Sequence, residues 1–122
     1  MKYLCLAYEE ERIFSEMTEA QWHELLQETL DYVADLQRRG KLVQTNALQS
    51  ATKARTLRIR DDELIMTDGP FAETKEQLGG FFLIEVASEE EALEIAAGWP
   101  SARLGTIEVR PVEEELRPES RY

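Results

Sequence analysis

Residues 66–80 (MTDGPFAETKEQLGG) divide this chain into two parts that read alike, each offering a strand, a capped helix and a further strand. Within that stretch, Asp68-Gly69-Pro70-Phe71 has the makings of a rigid turn. Glycine tolerates positive φ, proline fixes φ near −65° and donates no N–H, and the residue before proline is pushed out of the α region. The chain after Met66 therefore cannot run straight on into a helix. Asp68 has two readings: a turn residue bonding nearby backbone N–H groups, or a carboxylate held at a strand end as an acid, base or ligand anchor.

The flanking segments supply the elements. Residues 2–8 (KYLCLAY) are almost continuously apolar, as in a strand covered on both sides. Residues 9–16 read as a polar loop carrying Ile13 and Phe14. Thr18-Glu19-Ala20-Gln21 is a capping box, with Met17 and Trp22 at the staple positions. Trp22, Leu25, Leu26, Thr29, Val33 and Leu36 then follow helical spacing, and Gly40 closes the helix behind Arg38 and Arg39. Residues 42–48 read as a second strand. Residues 54–60 and 63–67 form a hairpin about Asp61-Asp62. A helical turn is expected over 74–77, ended by Gly79-Gly80, before a strand over 81–86. Ser88-Glu89-Glu90-Glu91 caps a second helix, with Ala92, Leu93, Ile95 and Ala96 inward, and Gly98 and Pro100 end it. Residues 104–112 give the last strand.

The order β-α-β, hairpin, β-α-β predicts an α+β, ferredoxin-like split β-α-β fold with an inserted β-hairpin over residues 1–112, followed by a polar tail over 113–122. Both helices then cover one face of the sheet. The uncovered face predicts a homodimer packing sheet on sheet.

Composition removes several function classes. With 25 acidic and 14 basic residues the net charge is −11, which argues against nucleic-acid or anionic-lipid partners. Cys5 is the lone cysteine, so no intramolecular disulfide can form. One histidine, His23, precludes a histidine-rich metal site and reads as a surface residue, so neither metal nor cofactor is expected. No signal peptide or long apolar span is evident, so a cytoplasmic location with no membrane partner is expected. P-loop, dinucleotide and nucleophile-elbow motifs are absent.

TDGPFAETKEQLGGF, with the acid-rich second helix and the final Glu108-Val109-Arg110-Pro111-Val112, resembles the YCII-related family in its DGPF-motif branch. The resemblance spans nearly the whole chain and is most specific from Asp68 to Gly80. It implies a dimeric α+β barrel, and an aspartate of the Asp68 kind paired with a histidine. Members of the branch often carry that histidine near the start of the last strand, where this chain has Leu104.

Two functional readings follow. In the first, a small molecule is bound or transformed in a cleft near the Asp68 loop and the dimer face. Asp68 is the candidate catalytic carboxylate there, Tyr3, Tyr8 and Phe71 are candidate apolar walls, and Lys75 and Arg103 are candidate anion contacts. For Phe71, Lys75 and Arg103 the alternatives are a core plug, a solvated lysine and a surface ion pair. In the second reading, the chain is a non-catalytic interaction module of the kind that the resemblance links to sigma-factor-type transcription regulators.

Overall fold

The computed structural model describes residues 1–119. Its elements run β1 (Lys2–Glu9), α1 (Glu11–Ser15), α2 (Glu19–Arg38), β2 (Leu42–Ala47), β3 (Arg55–Arg60), β4 (Glu63–Asp68), β5 (Gln77–Glu85), α3 (Glu89–Gly98) and β6 (Thr106–Pro111), with short 3-10 turns at Ala51–Lys53 and Pro100–Arg103. Four strands form one antiparallel sheet in the order β2-β5-β1-β6, and β3 pairs only with β4. This is the ferredoxin-like arrangement, with the hairpin inserted between its halves.

Period-two alternation decides the sheet's faces. Tyr3, Cys5 and Ala7 of β1 are buried, as are Phe82 and Ile84 of β5, while Leu4, Leu6, Phe81 and Leu83 between them are half-buried on the other face. Leu36 of α2 and Ala92, Ile95 and Ala96 of α3 join the buried set, so both helices cover the same face. Phe82, Leu36, Ile84 and Cys5 are its largest fully enclosed side chains. Burial pushes the Cys5 thiol up to about 12, so it packs as a small apolar group.

Local chemistry explains the helix ends. Gln21 N–H donates to Thr18 Oγ1 (3.1 Å) and Thr18 N–H to Gln21 Oε1 (2.9 Å), a complete capping box. Ser88 Oγ accepts from Glu91 N–H at α3. Glu91 also receives Lys41 Nζ at 2.9 Å, a contact that ties the entry of β2 to α3 and holds the Glu91 carboxyl below the usual carboxylate range. Gly40 and Gly69 take the positive φ values (68° and 100°) that their turns require.

Four local expectations need correction. The segment over 9–16 is not wholly loop: Glu11–Ser15 forms one helical turn that sets Phe14 edge-on against Trp22, ring centroids 6.3 Å apart. No helical turn forms over 74–77. There the Gln77 side-chain amide donates to the Ala72 and Thr74 carbonyls, and Gln77 already begins β5. Gly79 and Gly80 lie within that strand rather than before it. The register slips there, since Ala7 faces Gly80 while Tyr8 faces Leu78, leaving Gly79 as a bulge. Leu93 is half exposed, because it stands about 100° round α3 from the inward-facing Ala92.

Of the tail, residues 113–119 are exposed, and 120–122 lie outside the described residues. Among the described residues no helix is long and apolar enough to cross a membrane.

Candidate functional site

The apolar stripe of α2 is longer than the sheet beneath it. Leu36 and Leu25 are buried, whereas Trp22, Leu26 and Leu30 remain 40–53 % exposed. The first turns of the helix thus overhang the β1–β5–β2 edge of the sheet and leave a cleft of about 310 Å³. Phe14, Trp22, Leu26, Leu30 and Val33 form its outer wall, and Phe82 and Trp99 its floor. Those floor rings are stacked at 3.9 Å with an 8° interplanar angle. Tyr32 meets Trp99 edge-on and donates its hydroxyl to the Ile95 carbonyl (2.8 Å), fixing the ring from behind.

Among the described residues one ionisable side chain lines this cleft, Glu9. It continues the Tyr3-Cys5-Ala7 alternation of β1, so the strand that builds the core also delivers a carboxyl group to the helix-covered face. Two glycines make room for it. A Cβ on Gly79 would lie 2.7 Å from Glu9 Oε2. A Cβ on Gly105 would collide with the Tyr8 carbonyl oxygen and lie 3.4 Å from Glu9 Cα. Burial raises the Glu9 pKa. A hydrogen-bonding interaction with the Ser101 side chain offsets part of that, and Glu11 adds a further upward push.

The rise has a thermodynamic consequence. A carboxyl whose folded pKa exceeds its unfolded value holds its proton longer in the fold, so its contribution is lost as pH climbs through the folded pKa. Glu9 thus weakens the fold above that window, and Glu9→Gln is expected to raise Tm at pH 8 while leaving it nearly unchanged at pH 4. A melting-temperature difference independent of pH would contradict this.

The residues singled out in the sequence are dispersed. Tyr3 is 5 % exposed in the core, and Tyr8, following Ala7, stands on the opposite face of the sheet from the cleft. Phe71 is 76 % exposed with the Arg58 guanidinium 5.4 Å from its ring centroid. Arg103 pairs with Glu28 at 2.9 Å. Asp68 ends β4 with its carboxylate 3.2 Å from Arg55, its register partner across the hairpin. Asp68 and Lys75 do share an open depression, with Glu10, Glu11 and Gln77. Glu11 and Gln77 also line a smaller hollow reaching Glu9 and Gly79, so these two residues border both spaces. Leu104 and Arg103 lie in a separate hollow against Glu24 and Glu28 of α2. Among the described residues no group of three or more His, Cys, Asp or Glu side chains is placed to hold a metal ion.

The profile of the YCII-related domain matches residues 1–116. The chain belongs to the YCII-related family. It is 39 % identical over 114 residues to an uncharacterized protein of Rhizobium meliloti (strain 1021), covering 92 % of each chain. In this YCII-related chain, Glu9 is the cleft-lining residue that sequence reasoning passed over. Its signal was present as the one acidic residue in phase with a buried strand face, but the end of β1 could not be located without its partner strands.

Proposed function

We propose that the chain binds, and as an enzyme would transform, a small and largely apolar molecule in the cleft between α2 and the sheet. The observation that carries this reading is a cleft of about 310 Å³ walled by aromatic and aliphatic side chains, with Glu9 as its single ionisable group among the described residues. Ligand pockets are typically of this kind, apolar with few polar groups, and a carboxyl shifted toward neutral pH suits proton transfer. The Asp68 loop, with the DGPF turn of that branch, belongs to this reading as the neighbouring rim beyond Glu11 and Gln77. A thermal-shift screen of small metabolites would test it on wild type, Asp68→Asn and Thr29→Phe, the last filling the cleft from α2. A compound that stabilises wild type but not Thr29→Phe supports the reading, and loss in Asp68→Asn as well would give the loop a part. No stabilising compound, or equal stabilisation of wild type and Thr29→Phe, would count against it.

The same reading has the chain acting as a homodimer. Leu57 faces Met66 and Ile59 faces Leu64 across β3–β4, which puts four apolar side chains on one face of the hairpin, each 46–62 % exposed. A two-stranded sheet is marginal in water by itself, and such a face calls for cover. A second copy supplies it: each chain has a helix-free sheet face bearing Leu4, Leu6, Phe81 and Leu83. Arg55, Arg58 and Arg60 of β3 would also meet a chain of net charge −11. Sedimentation equilibrium is expected to give a two-chain mass for wild type and a one-chain mass for Leu57→Asp/Ile59→Asp. A monomeric wild type at micromolar concentration would refute the homodimer. The interaction-module alternative draws on that same exposed hairpin. Stable co-purification of a regulator from native cells, lost in the double variant, would support it.

A further inference from the structure

The lining of the cleft is lopsided in charge. Thr29, Thr45, Asn46 and Ser101 supply neutral polar atoms, Glu9 supplies the one acid, and among the described residues no lysine, arginine or histidine lines it. Ionised, Glu9 therefore stands in an apolar cleft without a counter-charge. Glu11 of α1, across the adjoining hollow with Gln49 and Gln77, adds negative potential rather than relieving it. An uncompensated carboxylate in such surroundings is poorly solvated, and a bound cation would supply the missing partner. The aromatic rings point the same way. Phe14 and Trp22 line the space beside the stacked Phe82–Trp99 pair, and π-faces attract cations and apolar bodies while offering nothing to an anion. The net charge of −11 repels anionic ligands and concentrates cationic ones near the surface.

Resting on the small-molecule reading of this cleft, we propose that its ligand is an apolar amine: a compact aromatic or aliphatic body bearing one protonated nitrogen that pairs with the Glu9 carboxylate. A dry cavity of about 150 Å³ holds a benzene ring, so a cleft of about 310 Å³ admits a body of roughly two fused rings. The bulge at Gly79 fixes where the nitrogen sits, because any side chain there would occupy the space that the carboxylate needs. The pair forms between a protonated amine and the ionised Glu9 carboxylate. As pH falls and Glu9 takes up its proton, the ion pair is lost and with it the preference for a cation.

Isothermal titration with three probes of one shape tests this: 1-naphthylmethylamine, 1-naphthalenemethanol and 1-naphthoate. Each is titrated into wild type, Glu9→Gln and Thr29→Phe at pH 7. A charge-assisted hydrogen bond exceeds a neutral one by enough to give wild type about a 10- to 100-fold preference for the amine over the alcohol, with the naphthoate weakest. In Glu9→Gln the amine is expected to fall to within about threefold of the alcohol, while Thr29→Phe loses all three. If amine and alcohol bind wild type equally, or the amine preference survives in Glu9→Gln, while Thr29→Phe still abolishes binding, the cationic ligand is overturned and the cleft reading stands. If no probe binds in a way that Thr29→Phe abolishes, the cleft reading fails and this inference with it.

Discussion

Replacing Gly105 by alanine is expected to destabilise the protein by about 3 kcal/mol or more, an effect at the upper end for a single methyl group. Gly105 sits where the chain turns from the Pro100–Arg103 turn into β6, and its N–H donates to the Ser101 carbonyl. The added Cβ would meet backbone rather than a yielding side chain: the Tyr8 carbonyl oxygen inside contact distance, the Tyr8 carbonyl carbon at 3.3 Å and Glu9 Cα at 3.4 Å. Relief requires β6 to move off β1, which breaks the Tyr8–Thr106 and Ala7–Ile107 end of the ladder and shifts Glu9 with it. Gly40→Ala is the internal control. Nothing lies within 4 Å of its Cβ position, so only the left-handed φ of 68° is penalised, at about 1 kcal/mol. Urea unfolding of both variants reads the contrast directly. Equal losses would mean that β6 can shift freely and that the close approach has no energetic weight.

Truncating Phe82 to alanine is expected to lower stability by about 3–5 kcal/mol. Phe82 is fully buried, and its ring lies flat against Trp99, which Tyr32 holds edge-on from α2. The deletion leaves a cavity bordered by rigid aromatic rings and a paired strand, surroundings that cannot collapse easily to fill it. Because Phe82 and Trp99 form the cleft floor, the near-UV circular dichroism of the indole should weaken together with stability. Phe82→Leu, which keeps most of the volume, should lose much less. A Phe82→Ala variant within about 1 kcal/mol of wild type would show that this stack is not a main support of the core.

These two sites show how legibility was distributed. Phe82 was readable as a core residue, since an apolar run between glycines and an acid-rich capping box points to a buried strand. Thr18 and Ser88 were readable for the same local reason: a cap is satisfied within four residues, so the sequence around it contains the whole interaction. The resemblance to the YCII-related family rested on a contiguous block about Asp68 and is met by a family match over residues 1–116. Gly105 and Gly79 were unreadable in this sense. What makes each indispensable is the backbone of Tyr8 or the carboxylate of Glu9, about 97 and 70 residues away along the chain.

The sequence by itself determined the order of the strands and the two long helices, both of their N-terminal caps, the hairpin and the ferredoxin-like split β-α-β plan, because periodicity and capping are local physics. It also determined the net charge and the scarcity of histidine and cysteine. Only the tertiary structure decided which residues share a cleft. Tyr3, Tyr8, Asp68, Phe71, Lys75 and Arg103 were grouped by chemical type, yet strand parity, the bulge at Gly79 and the overhang of α2 distribute them over both faces and the rim. The same constraints bring Glu9 of β1 and Phe82 of β5 together with Trp99, which caps the end of α3, and Ser101 of the turn that follows. A side chain's neighbours depend on register, and register is set by long-range pairing that no short stretch of sequence contains.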